Sequence, residues 1–119
     1  MDKRLLGQFG EERAARYLRQ KGYRILARNY RCRMGEIDII ACRGDYVAFV
    51  EVKLRKDDSF AAAREFVTRA KQQRILRTAG LWLSQHETEL QPRFDVSEVY
   101  APQGEKGPVR IEHLEDAFF

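Results

Sequence analysis

Cysteine and histidine are scarce, with two of each in 119 residues. Cys32 and Cys42 fall into neither a CxxC nor a zinc-type spacing, so a reduced, cytoplasmic setting is the default expectation. His86 and His113 have no ligand-type partner at helical or strand spacing, and both are read as surface or packing residues. No Ser, His and Asp order and no Gly-rich phosphate loop is present, which leaves nucleophilic hydrolases and nucleotide binders without local support. The longest apolar runs span a few residues, against roughly 20 for a bilayer crossing, and no signal-like segment stands at the start. A soluble protein with no membrane partner is expected. Repeats, linkers and low-complexity stretches are also missing, so residues 1–119 are read as one domain with a single core.

What is present is charge. Lys and Arg number 22 against 18 Asp and Glu, for a net +4 and a pI near 9.3, which suits an anionic partner without demanding one. Basic residues cluster at Arg24, Arg28, Arg31 and Arg33, and again at Lys53, Arg55 and Lys56. Each cluster is either a solvated face or a set of phosphate contacts.

Asp2 is placed to cap a first helix running to about Lys21, with Gly22 as its stop. On the helical wheel Glu11 lies with Ala14, Ala15 and Leu18, and Glu12 with Arg16 and Arg19, so Glu11 points inward and Glu12 outward. A carboxylate on an apolar face is costly unless partnered; the bland role for Glu11 is capping or an ion pair. Tyr23 to Tyr30 reads as a strand, and a hairpin follows. Leu54 to Phe60 reads as a charged loop beside that hairpin, able to close over a substrate, and Ala61, Ala62 and Ala63 favour helix. A second helix from about Thr68 to His86 follows from Ile75, Leu76, Ala79, Trp82 and Leu83, with Trp82 in the core. Lys71, Gln73, Arg74 and Arg77 decorate it as either a wet surface or a phosphate-contacting edge. Arg93 to Tyr100 and Val109 to Leu114 are the last strands, separated by a Pro- and Gly-containing loop. The sum is an α/β domain with a mixed central sheet flanked by helices, in the order α-β-β-β-α-β-β.

Most of the visible chemistry lies in Gly35 to Lys53, GEIDIIACRGDYVAFVEVK. A two-residue turn at Gly44 and Asp45 is a preferred hairpin connection. With Arg43 facing Tyr46, Ile40 faces Phe49, Asp38 faces Glu51 and Glu36 faces Lys53. Those four polar residues share one face, and Ile37, Ile39, Val50 and Val52 share the other. Like charges directly opposed are destabilising, so Asp38 against Glu51 requires a shared proton, a bound divalent cation, or solvation with Lys53 as counter-ion. Solvation explains Glu36 and Lys53 well but leaves the Asp38 and Glu51 pair uncompensated, which favours the cation.

A helix glutamate, then Asp38, then Glu51-Val52-Lys53 resembles the pattern of the PD-(D/E)XK nuclease superfamily, with Ile37-Asp38 in place of Pro-Asp. Nearly the whole chain resembles the YraN-like bacterial family, through Gly10-Glu11, Ala14, Leu18, Gly22, Arg28-Asn29, Gly35-Glu36-Ile37-Asp38, Phe49-Val50-Glu51-Val52-Lys53 with Arg55, Lys71, Arg93-Phe94-Asp95-Val96 and Ala117-Phe118. The resemblance implies a restriction endonuclease-like fold and kinship with archaeal Holliday-junction resolvases, which are Mg²⁺-dependent and dimeric; a homodimer is expected on that analogy. It further implies a nuclease acting on structured or branched DNA. Glu11, Asp38, Glu51 and Lys53 would be its catalytic residues, and Asp38 and Glu51, with Glu11 and the Val52 carbonyl, would hold Mg²⁺ or Mn²⁺. Glu36 would position Lys53, and Arg28, Arg55, Lys71 and Arg74 would contact the nucleic acid. The rivals are a nucleic-acid-binding module that keeps the site without cutting and an interaction protein whose basic patches meet an acidic partner.

Overall fold

The computed structural model describes residues 3–55 and 67–119. Helix α1, Lys3–Gln20, ends where expected: Tyr23 N–H donates to the Leu18 carbonyl at 2.9 Å and Gly22 N–H to that of Arg19 at 3.0 Å. That double closure needs a left-handed residue, and Gly22 supplies it at φ +92°. The proposed Asp2 cap lies outside the described residues.

Three antiparallel strands follow, β1 (Arg24–Cys32), β2 (Gly35–Arg43) and β3 (Tyr46–Arg55). Helix α2 (Arg69–Gln85) then crosses back, so that β4 (Gln91–Tyr100) pairs parallel to β3, and β5 (Arg110–Leu114) closes the sheet antiparallel to β4. Spatial order equals chain order, β1-β2-β3-β4-β5, and the mixed α/β arrangement is the one expected. Leu54 and Arg55, expected in a loop, instead extend β3. Their partners in the parallel ladder are Val99 and Tyr100, and Ala101 N–H caps it on the Arg55 carbonyl at 2.9 Å. The rest of that expected loop and the alanine run lie within residues 56–66, outside the described residues.

The hairpin turns at Gly44, with φ +59°, and its ladder runs from Arg43↔Tyr46 through Ile40↔Phe49 to Ile39↔Val50. Alternation then divides the core into two layers. Ile39, Ala41, Ala48, Val50 and Val99 pack with Ala14, Ala15 and Leu18 of α1; Ile40, Val47, Phe49, Phe94 and Val96 pack with Ile75, Ala79 and Trp82 of α2. Phe49 is fully buried, with Phe94 stacked on it at 5.5 Å and Trp82 edge-on at 5.8 Å between ring centres, and burial of such a side chain contributes about 1.5–3 kcal/mol.

One expectation about faces fails. Ile37 packs in the α2 layer and Ile39 in the α1 layer, although they are two residues apart. The strand therefore turns over at Asp38. On β1, the residue between the pairs Arg28↔Ile39 and Tyr30↔Ile37 is Asn29, held at φ +52°, so the irregularity is shared by both strands.

Candidate active site

Past Ile39↔Val50 the two central strands part company. The end of β2 stays with β1, through Tyr30↔Ile37 and Arg31↔Glu36, while β3 continues along β4 to Arg55↔Tyr100. The sheet forks at the first residues beyond the ladder, Asp38 and Glu51. Asp38 fills the gap with its side chain: Oδ2 accepts the Val52 backbone N–H at 2.8 Å, replacing a ladder bond with a carboxylate contact.

Glu11 approaches from the α1 layer, and Glu51, only 6 % exposed, carries Lys71 Nζ on its Oε1 at 2.5 Å from the first turn of α2. Burial, then the Glu51 charge, raise the Asp38 carboxyl to about 7; the Val52 N–H pulls the other way, Glu11 adds to the rise and Lys71 opposes it. Glu11 is itself raised, chiefly by burial, against the lowering effects of a hydrogen bond with Asn29 and of the Arg28 charge. Its Oε1 is buried with no partner, and such an atom is expensive. The inward placement of Glu11 and the outward one of Glu12 are as the wheel requires, since Glu12 pairs with Arg28 Nη1 at 2.8 Å.

The donors match a hard divalent cation in type, being carboxylate oxygens with one buried oxygen orphaned. Among the described residues no three Asp, Glu, His or Cys side chains converge as a finished metal cage; Lys71 already neutralises Glu51. Two expected roles change, and Lys71 gains one. Glu36 faces Arg31 across β1 and bonds its Nε at 2.9 Å, because the fork carries it away from Lys53. Arg55 is 6 % exposed and bound to Glu98 at 3.3 Å, which makes it part of the β3–β4 packing rather than a surface contact. Lys71 belongs to the carboxylate cluster. Lys53 is half-buried and, by alternation, shares the Glu51 face of β3.

Beside the fork lies an open cleft of about 650 Å³, lined by Arg31, Cys32, Gly35, Glu36, Lys71, Arg74 and Ile75. Gly35 brings its two walls together: at φ +154° it is strained for any other residue, and a Cβ there would come within 3.3 Å of the Arg74 side chain and 3.2 Å of Thr78 Oγ1. Arg28 and Asn29 line a second cleft, with Arg13 and Arg16 of α1, of about 730 Å³.

A second charged cluster has its centre on β4, and the sequence reading passed over it. Asp95, fully buried, accepts Arg93 Nε at 2.9 Å, Arg93 Nη2 at 2.8 Å and the Asp116 N–H at 3.0 Å, and pairs with His113 Nε2 at 2.8 Å. His113, expected at the surface or in packing, is instead a polar partner, with Asp95 on Nε2 and Ser97 Oγ on Nδ1 at 3.2 Å, while His86 is exposed and stacks on Trp82 at 4.2 Å. The spacing of Arg93 and Asp95, two apart and so on one face of a strand, was the available signal.

Residues 10–99, which hold Glu11, Asp38, Glu51, Lys53 and Lys71, match the model of the uncharacterised protein family UPF0102. The chain belongs to the UPF0102 family. This is the YraN-like family that the motifs resemble. A UPF0102 protein of Nocardia farcinica is 49 % identical over 98 % of this chain and 91 % of its own length. Those of Caldanaerobacter subterraneus subsp. tengcongensis and Symbiobacterium thermophilum are 40 % and 46 % identical, with 99 % and 97 % of this chain covered and 98 % and 97 % of theirs. Among the described residues no helix is long and apolar enough to cross a membrane.

Proposed function

We propose that this UPF0102 protein is a metal-dependent nuclease of the restriction endonuclease-like fold, hydrolysing phosphodiester bonds in structured or branched DNA. The observation that carries the reading is Asp38, a half-buried carboxyl whose side chain bridges the fork to the Val52 N–H and is raised to about 7 beside Glu51 and Glu11. Carboxyl groups crowded together at such a cost, with Lys71 set against them, mark a candidate functional site. The motif order Glu11, Asp38, Glu51-Val52-Lys53 and the kinship with resolvases that it implies support the same reading.

A divalent cation held by Asp38, Glu51 and Glu11 would supply positive charge against the phosphodiester and make water acidic enough to attack at neutral pH. Asp38 is fixed for binding by the Val52 N–H. Glu11 offers its unpartnered Oε1 from the α1 side. Lys53 stabilises the charge that develops on phosphorus-bound oxygens, as a compact point charge on the Glu51 face. Arg74 lines the adjoining cleft, where a strand's phosphates would lie.

The test is incubation with branched, single-stranded and duplex DNA in Mg²⁺ or Mn²⁺, beside Asp38→Asn. Cutting that needs metal and falls by at least about 10²-fold in the variant is expected. Cutting that survives Asp38→Asn rejects the mechanism. The Lys71 to Glu51 ion pair favours one alternative, a nucleic-acid-binding protein that keeps this fold without turnover, since it neutralises Glu51 with no metal. Salt-dependent binding with no cutting in either metal would establish it.

A further inference from the structure

Lys71 Nζ occupies Glu51 Oε1 at 2.5 Å, and the two ends of this pair differ in access: Glu51 is 6 % exposed and Lys71 37 %. The carboxylate is sealed into the site, whereas the ammonium can be reached from solvent and belongs to the wall of the cleft that Arg31 and Arg74 also line. The Lys71 backbone is fixed independently, because its N–H donates to the Thr68 Oγ1 cap at 3.2 Å and α2 is packed through Ile75 and Ala79. Only the side chain needs to move for Lys71 to exchange one anion for another. Helix N-termini favour anions, so a phosphate entering the cleft near the first turn of α2 competes with Glu51 for the same ammonium.

Resting on the nuclease reading above, we infer that Lys71 is a built-in counter-ion that holds Glu51 until substrate phosphate draws it away, so that this site takes its divalent cation together with DNA rather than before it. With Lys71 on Glu51, a cation must displace an ammonium from a sealed carboxylate, and binding to the free protein is weak. With Lys71 on a phosphate, Glu51 is left beside Asp38 without the ammonium that bonds it, and the cation is drawn in. Lys71 is on this account a positioning residue. The coupling is reciprocal: DNA tightens cation binding by the factor by which the cation tightens DNA binding.

The experiment measures Mn²⁺ binding by electron paramagnetic resonance, on wild type, Lys71→Met and Lys71→Gln, alone and with a short phosphorothioate DNA that resists cutting. Both neutral variants are expected to bind Mn²⁺ at least about fivefold more tightly than wild type without DNA, and to gain less from DNA than wild type does. Equal affinity in wild type and variants overturns the role given to Lys71 and leaves the nuclease reading standing. No Mn²⁺ binding to any of the three, with or without DNA, overturns both. Using two neutral variants of different shape guards against a packing defect in one, and their melting curves report whether each is folded.

Discussion

Two aspartates in one sheet, Asp95 fully buried and Asp38 half-buried, have opposite fates. Asp95 lies among donors, and although burial pushes its carboxyl up, bonds from His113, Arg93 and the Asp116 N–H outweigh that and hold it below its ordinary value. Asp38 has one backbone donor, and its neighbours include two more carboxylates, so it rises from 3.8 to about 7. The first is solved by the fold: its partners come from β4, from β5 and from the chain after it, and they pin the C-terminal segment to the sheet. The second has a single backbone donor and two carboxylate neighbours, and that contrast separates a carboxylate whose charge the fold compensates from one whose charge it leaves largely uncompensated.

The contrast can be broken first at Asp95. Asp95→Ala strands Arg93 and His113 in the interior, and a loss of about 3–5 kcal/mol in urea unfolding is expected. A loss under 1 kcal/mol would mean that the cluster is not the anchor described.

Asp38→Asn should act in the other direction. The folded-state pKa of Asp38 lies above its ordinary value, so between about pH 4 and 7 the folded chain keeps a proton that the unfolded chain releases, and stability falls as pH rises through that window. The variant removes this cost, and a gain of roughly 2–4 kcal/mol at pH 8 that vanishes near pH 4 is expected. Urea midpoints at the two pH values decide it; destabilisation at pH 8 would contradict the raised pKa. Asp95 gives the opposite slope, its contribution being present above its ordinary value and lost as pH falls through its lowered one.

Millimolar Mg²⁺ sharpens the same contrast. With a short phosphorothioate DNA bound, it should stabilise wild type by about 1 kcal/mol, do nothing for Asp38→Asn, and still act on a folded Asp95→Asn. Thermal melting with and without Mg²⁺ measures all three, and an equal shift in Asp38→Asn would place the cation elsewhere. Smallest of all is Arg31→Ala. Its pair with Glu36 has side chains 73 % and 50 % exposed, so a change of no more than about 0.5 kcal/mol is expected in urea unfolding.

Local rules carried the sequence reading as far as they operate. The Gly44 turn fixes the register of its own ladder, so Asp38 and Glu51 could be found as neighbours from alternation alone. The apolar stripe of α1 likewise separates Glu11 from Glu12. What failed depends on distant chain. The fork opens where β2 stays with β1 beyond Ile39↔Val50 while β3 runs on along β4 at its other edge, and β4 begins 36 residues after β3 ends; without that knowledge Glu36 had to face Lys53. The same parallel pairing turned Arg55 inward, and the approach of α2 to the sheet brought Lys71 to Glu51. Asp95 was quoted only within a motif, because its donors are scattered over Arg93, His113 and Asp116 and no single spacing joins them.

The fork has a consequence for the order of assembly on the ribosome. Strands β1, β2 and β3 are contiguous in the chain and pair locally, so they are expected to form as soon as residue 55 is free, whereas the parallel ladder must wait for β4. During that interval the two facing carboxylates are together and the lysine that relieves them has not arrived. Pulse-labelled hydrogen exchange on refolding protein should find the β2–β3 amides protected before those of β4; simultaneous protection would show that the meander cannot stand alone. A nascent chain at this stage holds Asp38 and Glu51 together without Lys71, so the penalty of their proximity falls on the early meander and is relieved only when α2 docks.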